Sequence, residues 1–94
     1  MKVISRKALR DFVRLHPDAT AALEDWYRKT RHATWTTLAD TRRTFRHADL
    51  VGRRTVFNIA GNTYRLIARI NYRTQRVYIL HILTHQDYDK GDWK

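Results

Sequence analysis

The hexapeptide Thr84-His85-Gln86-Asp87-Tyr88-Asp89 gathers an imidazole, a phenol and carboxylates within one short stretch. An imidazole titrates near working pH, so it can take a proton or give one. A phenol stacks on a base or handles a proton. Metal-free cleavage of RNA needs three things: a group that removes the 2′-hydroxyl proton, cations on the non-bridging oxygens, and a donor for the leaving 5′-oxygen. His85 and Tyr88 offer the first and the last of these, and arginines offer the second. By spacing alone the same histidine also fits a solvated or capping residue.

Charge makes a phosphodiester the natural substrate. Nineteen Lys and Arg face nine Asp and Glu, giving a formal charge of +10 and a pI near 10.7. A polyanion releases condensed counterions when such side chains replace them. Arginine outnumbers lysine, and its planar fork suits bidentate phosphate contacts and base stacking.

Other chemistries find less support. His81 and His85 are four residues apart, which on a continuous strand separates them by about 13 Å, too far to share an ion. The chain has no cysteine, hence no thiolate zinc site, no disulfide and no cysteine nucleophile. The glycines, Gly52, Gly61 and Gly91, are too scattered for a phosphate-binding loop. No metal and no cofactor is expected. The segment MKVISRKALRDFV lacks the apolar core of a signal peptide, and no apolar run nears the roughly 20 residues that span a bilayer. These features read as a soluble cytoplasmic protein without a membrane partner.

The reactive stretch follows Val77–Leu83, a β-branched and aromatic run that is apolar on both faces, as in the interior strand of a sheet. His85 and Tyr88 are therefore expected at the exit of a buried strand, on a rigid support. Ninety-four residues make one domain, 1–94, with one modest core. Lys2-Val3-Ile4 is a short strand, and Ser5 caps a helix from Arg6 to about His16, with Ala8, Leu9, Phe12 and Leu15 at helical spacing. Asp18 is the expected cap of a second helix, Ala19 to about Thr30, striped by Ala22, Leu23, Trp26 and Tyr27. Thr36 or Thr37 opens a third, short helix through about Arg43, with Asp40 as capping-box partner. Thr44 to Gly52 has no clean period and reads as a loop.

From Arg53 the period becomes two. Arg53–Ala60 and Asn62–Tyr72 are strands joined at Gly61, and Tyr72–Gln75 turns into the last strand. The order β-α-α-(α)-β-β-β predicts an α+β domain, its N-terminal strand and helices packed on one face of an antiparallel sheet. In Asn62–Tyr72 the core face carries Tyr64, Leu66, Ala68, Ile70 and Tyr72. The opposite face carries Thr63, Arg65, Ile67, Arg69 and Asn71 and is expected to be open and basic. Arg54, Val56 and Asn58 alternate likewise with Thr55, Phe57 and Ile59. Trp93 is expected to pack back on the domain.

The segments Val56–Ala68 (VFNIAGNTYRLIA) and Leu83–Asp89 (LTHQDYD), with Val3–Leu9 at the front, resemble the HigB family of bacterial toxins. The resemblance runs over nearly the whole chain. HigB toxins belong to the RelE-like superfamily of small α+β ribonucleases. It implies a metal-independent, ribosome-dependent endoribonuclease that cuts mRNA in the decoding site and stops translation. It also implies ribosomal RNA contacts and a cognate HigA antitoxin of helix-turn-helix type that neutralises the toxin and represses the shared operon. Position by position, Arg65 matches the motif arginine expected to hold the scissile phosphate. His85 and Tyr88 match the proton-handling and base-positioning pair, which Asp89 orients. Asn58 and Asn62 match positions assigned to turn structure first and substrate contact second. Arg53 and Arg54 stand where relatives often have Lys or His, which leaves open whether they dock ribosomal RNA or act in catalysis; Arg69 adds to the RNA-binding charge. His81 lies outside the motif. Two rivals remain: a non-catalytic RNA- or ribosome-binding module using the same basic face, and, less well matched, a DNA-binding subunit.

Overall fold

Ser5 and Thr37 begin their helices as their side chains dictate. In the computed structural model, which describes residues 1–94, β1 (Lys2–Ile4) runs into α1 (Arg6–Leu15) at Ser5, whose hydroxyl accepts from the Lys7 amide at 3.1 Å. Thr37 opens α3 (Leu38–Thr44) by accepting from the Asp40 amide at 3.2 Å. Asp40 reaches back to the Thr36 amide and hydroxyl at 2.9 and 2.8 Å, closing a capping box displaced by one residue.

Asp18 does not cap the helix that follows it. Pro17–Ala19 form a 3₁₀ turn, and α2 (Thr20–His32) continues from it without a side-chain cap. The turn already supplies partners for the first amides, with Ala19 N–H donating to the His16 carbonyl at 3.0 Å. The Asp18 carboxylate instead accepts from the Tyr64 hydroxyl at 2.9 and 2.8 Å, tying the helices to the sheet.

The strands order as β1-β5-β4-β3-β2, with β2 (Asp49–Val51), β3 (Arg54–Ile59), β4 (Tyr64–Asn71) and β5 (Arg76–Thr84). The β2 to β5 pairs are antiparallel and β1 joins β5 in parallel, so the sheet is mixed rather than wholly antiparallel. The α+β layering is as expected. β2 falls inside the stretch read as a loop; three residues on an edge are too few to show a period. Ala60 and Gly61 both take positive φ, 52° and 66°, in the β3–β4 turn.

The largest correction lies after β5. The polar stretch is a helix, α4 (His85–Lys90), and not the irregular exit of a strand. Thr84 caps it, accepting from the Asp87 amide at 3.2 Å, and Gly91 ends it at φ 74°. The main core, including Leu23, Trp26, Trp35, Phe57, Leu66 and Val77, fills the space between the sheet and α1–α3. A second cluster, Val56, Ile67 and Trp93, with Val51, Leu83 and Tyr88 against it, lies on the opposite face. That face is therefore half covered, by α4 and the returning Trp93, rather than open throughout.

Candidate functional site

Strict alternation from Val77 would bury His81 and Leu83 beneath the helices. A β-bulge at Leu80 prevents this. Ile67 pairs with His81 while Ala68 pairs with Ile79, so Leu80 is unmatched and the side-chain parity of β5 resets. Ile82 packs into the main core, Leu83 joins the second cluster, and His81 stands exposed on the face shared by Arg65, Ile67 and Arg69.

Arg65 sits at the centre of the covered half of that face, 7% exposed. Its Nη1 donates to the carbonyls of Asn62 and Tyr64, each at 3.1 Å, and its Nη2 donates to the Asn62 side-chain oxygen. The guanidinium carbon lies 5.4 Å from the centroid of the Tyr88 ring. Tyr88 in turn stacks on Trp93, with centroids 5.1 Å apart and planes 14° apart, and the Trp93 indole N–H donates to the Tyr88 carbonyl at 2.9 Å. Guanidinium, phenol and indole thus form one stack that clamps α4 onto the sheet.

His85 opens α4. Its amide donates to the Thr63 carbonyl at 3.1 Å, and its Nδ1 meets the Asp89 carboxylate at 3.0 Å. The ring is half-exposed, with the exposed Asp89 carboxylate beside Nδ1. On a helix, residues three and four apart share a face, so His85, Tyr88 and Asp89 point the same way. Asp87 and Lys90 point the other way and, with His81, Leu83, Asp92 and Trp93, line a cavity of about 290 Å³.

The remaining predicted residues spread over the sheet. Asn58 is exposed beside Arg65, its cross-strand partner, and borders the Thr44–Ala48 loop. Arg54 starts β3 on the same face, half-buried, and Arg69 is exposed on it two residues beyond Ile67. Arg53 is exposed in the β2–β3 turn, away from α4. Sequence reasoning assigned no role to Trp93 beyond packing and treated Asn62 mainly as a turn residue. Yet Trp93 supports Tyr88 and Asn62 holds Arg65. The signal for Asn62 was its i,i+3 spacing from Arg65; for Trp93 it was an aromatic just past a helix-ending glycine. No three His, Cys, Asp or Glu side chains converge as a metal site, and no helix is long and apolar enough to cross a membrane.

Comparison with known proteins meets this geometry from outside. Residues 19–91 match the family described as HigB toxin, the RelE-like toxic component of a toxin–antitoxin system. The chain belongs to the HigB toxin family. Among HigB relatives, the mRNA interferase HigB of Escherichia coli O6:H1 (strain CFT073) is 31% identical over 96% of this chain and 90% of its own length. The mRNA interferase toxin HigB of Escherichia coli K12 and the mRNA interferase HigB of Shigella flexneri are each 27% identical, over 95% of this chain and 88% of theirs. Two of the segments that carried the resemblance, Val56–Ala68 and Leu83–Asp89, lie within the matched residues and build the β3–β4 turn, Arg65, Tyr88 and most of α4. Trp93 and Val3–Leu9 fall outside them.

Proposed function

We propose that this HigB-family chain is a metal-independent endoribonuclease that cuts translated mRNA on the ribosome and thereby stops protein synthesis. The observation that carries the reading is α4, which holds a carboxylate-oriented imidazole and a clamped phenol on one helical face, at the edge of a strongly basic sheet. His85 exchanges the proton through Nε2 and Asp89 fixes its tautomer. Tyr88 stacks on the base or serves as the second proton carrier. Arg65, its fork occupied by the 62–64 turn, acts by holding Tyr88, and the exposed Arg69 and half-buried Arg54 are left to meet phosphate. Arg53 and Asn58 extend the contact towards ribosomal RNA and message.

The partners in this reading are mRNA, ribosomal RNA and a HigA-type helix-turn-helix antitoxin, met in the cytoplasm. A purified translation system tests it. Wild type should yield cut message only when ribosomes translate, and His85→Gln should lose the cut with its thermal melt unchanged. The rival, a non-catalytic ribosome-binding module, draws support from the burial of Arg65. Translation arrest without cut message, steeply relieved by salt, would decide for that rival.

A further inference from the structure

The half of the sheet that α4 leaves uncovered carries a second set of groups. Lys2, Arg54, Arg69 and Arg76 lie on this face, three of them exposed, and none forms an ion pair or a side-chain hydrogen bond. Tyr78 stands among them, paired across the strands with Arg69 and, on its other side, with Ile4. Arg69, Asn71, Tyr78 and Leu80 line a cavity of about 390 Å³. Tyr78 is half-buried; after the bulge comes His81, exposed and without a hydrogen-bond partner. Two rings therefore share one sheet face, Tyr78 among free cations and His81 where Asp87, Lys90 and Asp92 border it.

We propose that Tyr78 and His81 form a stacking platform for unpaired bases of the message, with Lys2, Arg54, Arg69 and Arg76 tracking its backbone. Four observations converge on single-stranded RNA. Rings on a sheet surface offer π-faces that accept any base, whereas a duplex hides its bases from them. Side-chain residues two apart on one strand face lie about 7 Å apart, so the guanidinium of Arg69 sits within reach of a phosphate beside either ring. Four cations on one face without acidic partners form a local positive field that suits a polyanion. The bulge at Leu80 that seats Ile82 in the main core and Leu83 in the second cluster also puts His81 on the face that carries Tyr78. The platform rests on the nuclease reading above: it lays the strand over the open half of the sheet and up to the Asp87 and Lys90 side of α4.

Single variants Tyr78→Ala and His81→Ala, with Tyr78→Phe and His81→Phe as ring-preserving partners, test the proposal in a purified translation system. Expected is a KM for message cleavage raised roughly tenfold by each alanine and recovered by each phenylalanine, with kcat little changed. Co-sedimentation with mRNA-free ribosomes should match wild type for all four. Cleavage by the alanine variants within twofold of wild type would overturn the platform while leaving the nuclease reading in place. Loss of co-sedimentation with mRNA-free ribosomes would also overturn it, because the face would then serve ribosomal RNA. Failure of the wild type itself to cut any message would remove the nuclease reading and the platform together.

Discussion

The Arg65 guanidinium lies 5.4 Å from the Tyr88 ring centroid while its two terminal nitrogens hold the carbonyls and side chain of the 62–64 turn. One buried cation thereby joins a hairpin turn to the helix that carries the candidate chemistry. Arg65→Ala is expected to cost about 3 kcal/mol, from a lost cation–π contact, lost charge-assisted hydrogen bonds and a cavity under α4. Urea unfolding measures it. Arg65→Lys should recover only part, since an ammonium cannot reproduce the fork. A double-mutant cycle with Asn62→Ala should show coupling of about 1 kcal/mol or more.

Trp93 and Tyr88 separate support from chemistry. Trp93→Ala uncovers Val56 and Ile67 and should cost about 3 kcal/mol in urea unfolding. Tyr88→Phe keeps the stack on Trp93, so stability should stay within about 0.5 kcal/mol of wild type. Its message cleavage should nonetheless fall by about tenfold or more if the phenol carries a proton. Cleavage at the wild-type rate would assign Tyr88 to stacking alone.

The His85–Asp89 contact predicts a graded pair of defects. His85→Gln should lower kcat by about a hundredfold, the typical worth of a positioned proton carrier. Asp89→Asn keeps the ring but loses the carboxylate that sets its tautomer, and a loss of about tenfold is expected. KM should stay near wild type in both, measured by single-turnover cleavage on programmed ribosomes.

Acid stability should report the cap of α3. Hydrogen bonds from the Thr36 amide and hydroxyl hold the Asp40 carboxyl below its ordinary range. A depressed folded value means that its contribution is complete above the unfolded carboxyl value, about 3.9, and is lost as pH falls through the folded one. Wild-type urea midpoints should therefore drop below about pH 4, and Asp40→Asn should flatten part of that drop. Thr37→Ala should cost about 1 kcal/mol at neutral pH, the usual worth of an N-cap.

Much of the framework was legible because it follows local rules. Ser5 and Thr37 announce helix starts, and the two-residue period from Arg53 announces the hairpin that places Arg65. What escaped was non-local. Thr84 and Asp87 form a helix-start signal, yet it followed a strong strand pattern too closely to stand out, so α4 read as a strand exit. The expected basic face assumed that nothing returned to cover it, and only the tertiary fold brings Trp93 over Ile67. The bulge at Leu80 left no mark in composition: seven consecutive residues suited to a strand look the same whether the alternation is kept or broken. Asp18 looked like a cap because its partner, Tyr64, lies 46 residues away.

Lys2 pairs with Arg76 and Ile4 with Tyr78, so β1 is docked by the strand that stands farthest from it along the chain. A nascent chain cannot close this sheet until β5 has been synthesised, because the edge has nothing to pair with before then. The helix after β5, and the indole that pins it, come later still. The α4 face that carries His85 and Tyr88 therefore depends on a sheet whose edge is closed by contacts far apart in sequence.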